Sequence, residues 1–130
     1  MNKEIFKDHK DMKILVVDDL FTMRDLISRS LNQLGFFNIQ QAADGDMALQ
    51  LLLKEKFDLL ITDWQMPNMS GIDLIKAVRA NDKLKSIKIL MVTIQSEKDQ
   101  IAEAISAGVD GYLLKPFTLK ILEDNLVVLL

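Results

Sequence analysis

Two apolar patterns alternate along the chain. Unbroken runs at Lys13-Ile14-Leu15-Val16-Val17, residues 57–62, residues 88–92 and Gly111-Tyr112-Leu113-Leu114 have the length and composition of buried strands. Residues 38–43 form a weaker, less apolar run, predicted as an edge strand. Between the runs, apolar residues recur at helical spacing. Leu20, Met23, Leu26, Ile27, Leu31 and Leu34 share one face, and Gly35 stops that helix. An Asp44-Gly45 turn leads into a short helix through Met47, Leu49, Leu51, Leu52 and Leu53. Ser70 and Asp73 have capping-box spacing ahead of Leu74, Ile75 and Val78. Ser96 and Asp99 repeat that spacing ahead of Ile101, Ala104, Ile105 and Ala107, with Gly108 as the stop. Thr118 caps a last helix through Leu119, Leu122 and Leu126. Five alternations of strand and helix predict an α/β fold with a parallel sheet, right-handed crossovers and helices on both faces. Residues 1–12 read as a loose polar arm carrying His9, and residues 13–130 as one domain.

Four of the predicted strands end in polar groups: Asp18-Asp19, Asp63, Thr93 and Lys115. A parallel sheet sets them along one edge, with strands about 4.8 Å apart. Open α/β sheets bind their ligands at that edge. Each residue also has a plain structural reading. Asp18 or Asp19 would cap the first helix. Asp63 would be a turn residue or only a metal ligand, Thr93 a strand-end threonine, and Lys115 a lysine before a turn-forming Pro116. Jointly they ask for more. Two charges about 4 Å apart interact by about 4 kcal/mol at an effective dielectric of 20, so neighbouring carboxylates need a cation. Carboxylates without histidine or cysteine suit Mg2+ rather than zinc. A carboxylate beside a metal and a lysine can attack phosphorus and give an aspartyl phosphate. Lys115 and the Thr93 hydroxyl would neutralise its oxygens. Pro116 also permits a cis bond that aims Lys115 at the rim.

Composition narrows the class. A net charge of −3 offers no basic field to attract nucleic acid. The chain has 130 residues, 49% of them hydrophobic, enough for one sizeable core. There is no cysteine, hence no disulfide framework and no thiolate metal site. No run approaches the roughly 20 apolar residues that cross a bilayer, and the N-terminus has no apolar leader. A cytoplasmic monomer without a nucleic-acid or membrane partner is expected.

With these residues placed, the chain resembles the receiver domain of bacterial two-component signalling from Lys13 to the last helix. Asp18, Asp19, Asp63, Thr93 and Lys115 match the family's site residues in order and on the expected strands. Thr22-Met23-Arg24, Asp63-Trp64-Gln65-Met66-Pro67-Asn68-Met69, Leu90-Met91-Val92-Thr93 and Gly111-Tyr112-Leu113-Leu114-Lys115-Pro116-Phe117-Thr118 are similar to the family's single-domain chemotaxis response regulators. The resemblance implies a doubly wound (βα)5 three-layer sandwich with strand order 2-1-3-4-5. It implies Mg2+ bound by Asp19, Asp63 and the backbone carbonyl of Gln65, with Asp18 close by or acting through water. Asp63 would take a phosphoryl group from a phosphohistidine on a partner histidine kinase; His9 is not that donor. The Thr93 hydroxyl would be drawn towards the phosphoryl group, and Tyr112 would swing into the space left behind. An aromatic in a strand has a plain packing role as well. A face that includes Lys98, Tyr112 and Leu122 would bind the flagellar motor switch protein, with room for a phosphatase. Such a chain is a signalling switch rather than an enzyme, catalysing only its own phosphoryl transfer and autodephosphorylation. A phosphate sink, or a regulator of another two-component pathway, is the alternative. A flavin-binding enzyme of similar layout would need a phosphate cradle where Asp18-Asp19 stand. An appended helix-turn-helix domain has no room in 130 residues.

Departures from the family pattern are few. Gln65 and Gln95 place amides at positions that tune hydrolysis. Leu126-Val127-Val128-Leu129-Leu130 is apolar on every side, as in a buried or partnered helix. Ile94 follows Thr93 where receivers carry a small residue, and its β-branched side chain would narrow access to the site. Ile94→Ala is therefore expected to self-phosphorylate faster from small phosphodonors and to hydrolyse faster, followed by Trp64 fluorescence. Unchanged rates would clear Ile94 of that role.

Overall fold

The computed structural model describes residues 3–130. A short 3-10 helix, Lys3–His9, precedes five strand–helix pairs. They are β1 (Ile14–Val17), α1 (Phe21–Gln33), β2 (Ile39–Ala42), α2 (Gly45–Lys54), β3 (Leu59–Thr62), α3 (Gly71–Ala80), β4 (Lys88–Thr93), α4 (Lys98–Ala107), β5 (Gly111–Leu114) and α5 (Leu119–Leu129). The strands form one parallel sheet in the order β2-β1-β3-β4-β5. This is the expected doubly wound α/β sandwich, with β2 at an edge.

Strand alternation builds the two cores. Ile14, Val16, Leu59, Ile61, Leu90, Val92 and Leu113 face one side of the sheet and pack against α1 and α5. Leu15, Val17, Leu60, Ile89 and Met91 face the other and pack against α2, α3 and α4. Both faces are covered, so β1 and β3 lie buried along their whole length and are apolar except for Thr62 at the end of β3.

Several helix ends differ from the sequence expectation. Leu20 is the N-cap of α1 and lends no side chain to it, so neither Asp18 nor Asp19 caps the helix. Leu20 and Leu26, assigned to the buried face, are 57% and 47% exposed. Asp44 caps α2 rather than closing a free-standing turn: its carboxylate accepts from the Met47 N–H at 2.8 Å. In α4 the capping box belongs to Glu97 and Gln100, one residue later than Ser96 and Asp99. Ser70 and Thr118 cap α3 and α5 as expected. Gly35 and Gly108 take the left-handed conformation (φ 101° and 116°) that ends α1 and α4.

The loose arm is the larger correction. Met1 and Asn2 lie outside the described residues, but residues 3–9 form 3-10 turns that meet at a kink at Phe6, which is only 3% exposed. Its ring lies 5.1 Å from that of Phe36 and joins the α1–α5 core. A single aromatic in a polar segment has no periodicity to betray it. The apolar C-terminus divides in the same structural sense. Leu126 and Leu129 are buried, while Val127 and Val128 are 51% and 87% exposed.

Candidate functional site

The register brings the polar strand ends together. Val17 pairs with Thr62, Thr62 with Met91, and Thr93 with Leu114. Asp18, Asp63, Thr93 and Lys115 therefore stand at or one step beyond the carboxyl ends of neighbouring strands. Asp18 is sealed, at 1% exposure, whereas Asp19 is open to solvent. Carboxylate oxygens of Asp18, Asp19 and Asp63 lie within 4.8 Å of one another. Lys115 points into this group, and the Lys115–Pro116 bond that follows it is cis. Its Nζ donates to Asp18 Oδ2 at 2.8 Å and to Asp63 Oδ2 at 2.9 Å.

Backbone groups hold the carboxylates in place. Asp18 Oδ1 accepts the Leu20 N–H at 2.9 Å, and the Asp18 carbonyl accepts from Arg24 at 2.6 Å. Asp63 Oδ1 accepts the Trp64 N–H at 2.6 Å. The loop behind Asp63 is pinned by α3. The Gly71 N–H donates to the Trp64 carbonyl, and a Cβ on Gly71 would lie 1.9 Å from the Asp63 carbonyl oxygen. Only glycine fits that approach. On the far side of the loop, Asn68 (φ 69°) donates to Asp44 Oδ2 at 2.9 Å. The Met47 N–H and Asn68 together hold the Asp44 carboxyl below its usual range. Asp44 is thus a site-supporting residue that sequence reasoning passed over, although an Asp-Gly pair ahead of a helical stretch is a legible cap signal.

Three carboxylates face one ammonium, which leaves the cluster two positive charges short of balance. Hard oxygen donors with that deficit fit a divalent cation such as Mg2+. Gln65 sits two residues after Asp63 on the same exposed loop. Burial pulls the Lys115 pKa down, but the hydrogen bonds and charges of Asp18 and Asp63 outweigh it and hold the group above the usual lysine value.

Thr93 and Tyr112 meet through an intermediary the sequence did not single out for that purpose. Thr93 is buried, and its Oγ1 accepts the Gln95 N–H at 3.3 Å. The Tyr112 hydroxyl donates to the Gln95 carbonyl at 2.6 Å. The Gln95 side chain in turn accepts from Gln100 on α4 at 2.7 Å. One residue therefore links the site, β5 and α4. Ile94 beside it is 67% exposed, at the surface rather than within the packing. Lys98 opens α4 and is exposed. Leu122 does not share that surface: it is fully buried with Leu126 on the inward side of α5. Its chain neighbour Ile121 is exposed at 44%, as are Leu114 of β5 at 42% and Ile105 of α4 at 61%.

A parallel sheet in this order, with an acidic cluster and a lysine at its carboxyl edge, defines a doubly wound α/β module with a candidate cation site at that edge. The response regulator receiver domain model matches residues 14–127, and the chain belongs to that family. It is 52% identical over 115 residues to a chemotaxis protein CheY of Pseudomonas aeruginosa, covering 88% of this chain and 93% of that one. It is 50% identical over 118 residues to chemotaxis protein CheY-3 of Vibrio cholerae, covering 91% of each. The solved structure of Vibrio cholerae CheY4 superposes with a TM-score of 0.85 at 36% identity, over 92% of this chain and 99% of that one. Among the described residues, no helix is long and apolar enough to cross a membrane.

Tyr112 is the only tyrosine, so its ionisation can be followed by ultraviolet absorbance without interference from another phenol. Desolvation first, and then the negative charge of Asp63, raise its pKa above 10.0. A raised phenol pKa favours the folded state below the unfolded value, and that contribution fades as pH climbs through the folded pKa. Asp63→Asn removes the charge but not the burial. The Tyr112 titration should therefore move down in that variant while staying above 10.0. An unmoved midpoint would mean that Asp63 and Tyr112 are electrostatically independent.

Proposed function

We propose that the chain is a phosphorylation-controlled signalling switch of bacterial chemotaxis. Asp63 is the phosphoryl acceptor. Asp18, Asp19, Asp63 and the Gln65 backbone carbonyl hold Mg2+, which when bound neutralises charge on the phosphoryl oxygens. The observation that carries this reading is Lys115, whose ammonium bonds Asp18 and Asp63 at once. A lysine in that position can follow negative charge from the carboxylate to a transferred group without leaving the site.

The donor is a phosphohistidine on a separate histidine kinase. A carboxylate oxygen of Asp63 attacks phosphorus, and the O–P bond forms as the donor's P–N bond breaks. The electron pair returns to the donor imidazole, which takes up a proton. Lys115 and the Thr93 hydroxyl then bond phosphoryl oxygens. Turning towards the phosphoryl group, the Thr93 hydroxyl gives up the Gln95 N–H, and Gln95 also holds Tyr112 through its carbonyl. The switch thus passes from Thr93 through Gln95 to Tyr112 and to α4. Complete reversal of a two-state balance needs about 5.5 kcal/mol of differential binding, and rearranging these bonds supplies part of it. Lys98, Ile105, Tyr112, Leu114 and Ile121 form the face that would change.

The target in this reading is the flagellar motor switch protein; the relatives are named as chemotaxis proteins. A phosphatase would end the signal, and a cytoplasmic monomer suits both contacts. Residues 13–130 act as the receiver.

Trp64, the only tryptophan, adjoins Asp63 and donates its backbone N–H to that carboxylate. Its emission should change in two steps, first with Mg2+ and again with beryllofluoride. Asp63→Asn should keep its fold by circular dichroism and lose the second step. No change with either addition in the unmodified chain would overturn the reading.

A further inference from the structure

The sheet has a second edge, and it too carries an organised cleft. At the amino ends of β3 and β4, a cleft of about 430 Å3 opens between the segment that leaves α2 and the loop that joins α3 to β4. That volume lies within the usual range for small-molecule sites, about 300–1,000 Å3. Leu52, Phe57 and Ile87 are buried members of the α2–α3–α4 core that also line it, and half-buried Leu84 completes the floor. Lys54, Lys56 and Lys83 stand around its mouth, all exposed.

The charges at this mouth are not equivalent. Two carboxylates line the cleft, and both are engaged by the protein itself. Glu55 pairs with the Lys13 ammonium and accepts from Gln40 at 3.0 Å. The Lys13 hydrogen bond comes first among the contacts that hold the Glu55 carboxyl below its usual range. Asp58 Oδ2 accepts the Lys13 backbone N–H at 2.9 Å. Lys13 itself lies over the Phe57 ring, 4.8 Å from its centroid. Lys54, Lys56 and Lys83, by contrast, form no ion pair among the described residues. Three free ammonium groups around an apolar floor complement one kind of occupant.

We propose that this cleft is a binding site for a small amphipathic anion, with its aliphatic or aromatic body on Phe57, Leu84 and Ile87 and its acidic head among Lys54, Lys56 and Lys83. The site is at the opposite edge of the sheet from Asp63 and does not depend on phosphorylation. Long lysine side chains reach such a head while their stems cover the apolar rim. A neutral molecule of the same shape would gain the floor but not the mouth.

The probe is 8-anilinonaphthalene-1-sulfonate, an aromatic anion whose emission rises in apolar surroundings, titrated into the full chain. Saturable one-to-one binding is expected. Octanoate should displace the probe and octanol should not. Backbone amide shifts on binding should gather at residues 52–58 and 83–87. Lys56→Glu with Lys83→Glu should weaken binding at least tenfold, whereas Lys76→Glu, on the exposed surface of α3, should leave it unchanged. Circular dichroism and Trp64 emission report whether each variant is folded. Non-saturable binding, equal displacement by octanol, shifts gathered at another surface, or unaltered affinity in the folded double variant would each overturn the proposal.

Discussion

Charge balance at the carboxyl edge of the sheet is the constraint on which the rest of the structure depends. Three carboxylates share a space 4.8 Å across, and the most enclosed of them, Asp18, is almost sealed from water. A buried carboxylate without a partner is strongly destabilising. Lys115 meets that demand by reaching two of the three at once, and its raised pKa keeps it charged well beyond neutral pH. The balance is incomplete by design of the donor set: one ammonium cannot offset three carboxylates, and the deficit fits a hard divalent ion.

The fold serves this cluster at several removes. The β1–β3–β4–β5 register aligns the strand ends. Gly71 lets the first turn of α3 lie against the backbone of Asp63, and Gly45 lets α2 approach Met69, where an added Cβ would be 2.6 Å from a carbonyl oxygen. Asp44 and Asn68 tie that loop to the cap of α2. At the other edge, Arg79 performs a comparable task. Its guanidinium donates to the carbonyls of Lys85, Ile87 and Gly108 and to the Asp110 carboxylate, joining the end of α4 to the start of β4. Held there at its carboxyl end, α4 is tied at its amino end to Gln95 through Gln100.

Much of this was legible from pattern alone. Apolar runs closed by Asp18, Asp63, Thr93 and Lys115 announce strands whose ends converge, because parallel pairing permits no other arrangement. What escaped was whatever depends on a single residue or on helical phase. Phe6 sits in a polar segment, and only the tertiary contact with Phe36 explains its burial. Leu122 stood on a binding face through the family resemblance alone, whereas the observed helical phase turns it inward with Leu126 and turns Ile121 outward. The cap of α4 moved by one residue because Glu97 and Gln100 satisfy each other's backbone, a choice that Ser96 and Asp99 offered equally well. Gln95 was visible as a neighbour of the site, but its double backbone bond to Thr93 and Tyr112 is a fact of three dimensions.

If the cluster exists to accept phosphorus, its chemistry should be site-specific. Tandem mass spectrometry of the protein after incubation with Mg2+ and phosphoramidate tests this most directly. One phosphoryl group on Asp63, absent when Mg2+ is withheld, is the predicted result. An unmodified protein, or a phosphoryl group carried on Asp18 or Asp19 instead, would contradict it.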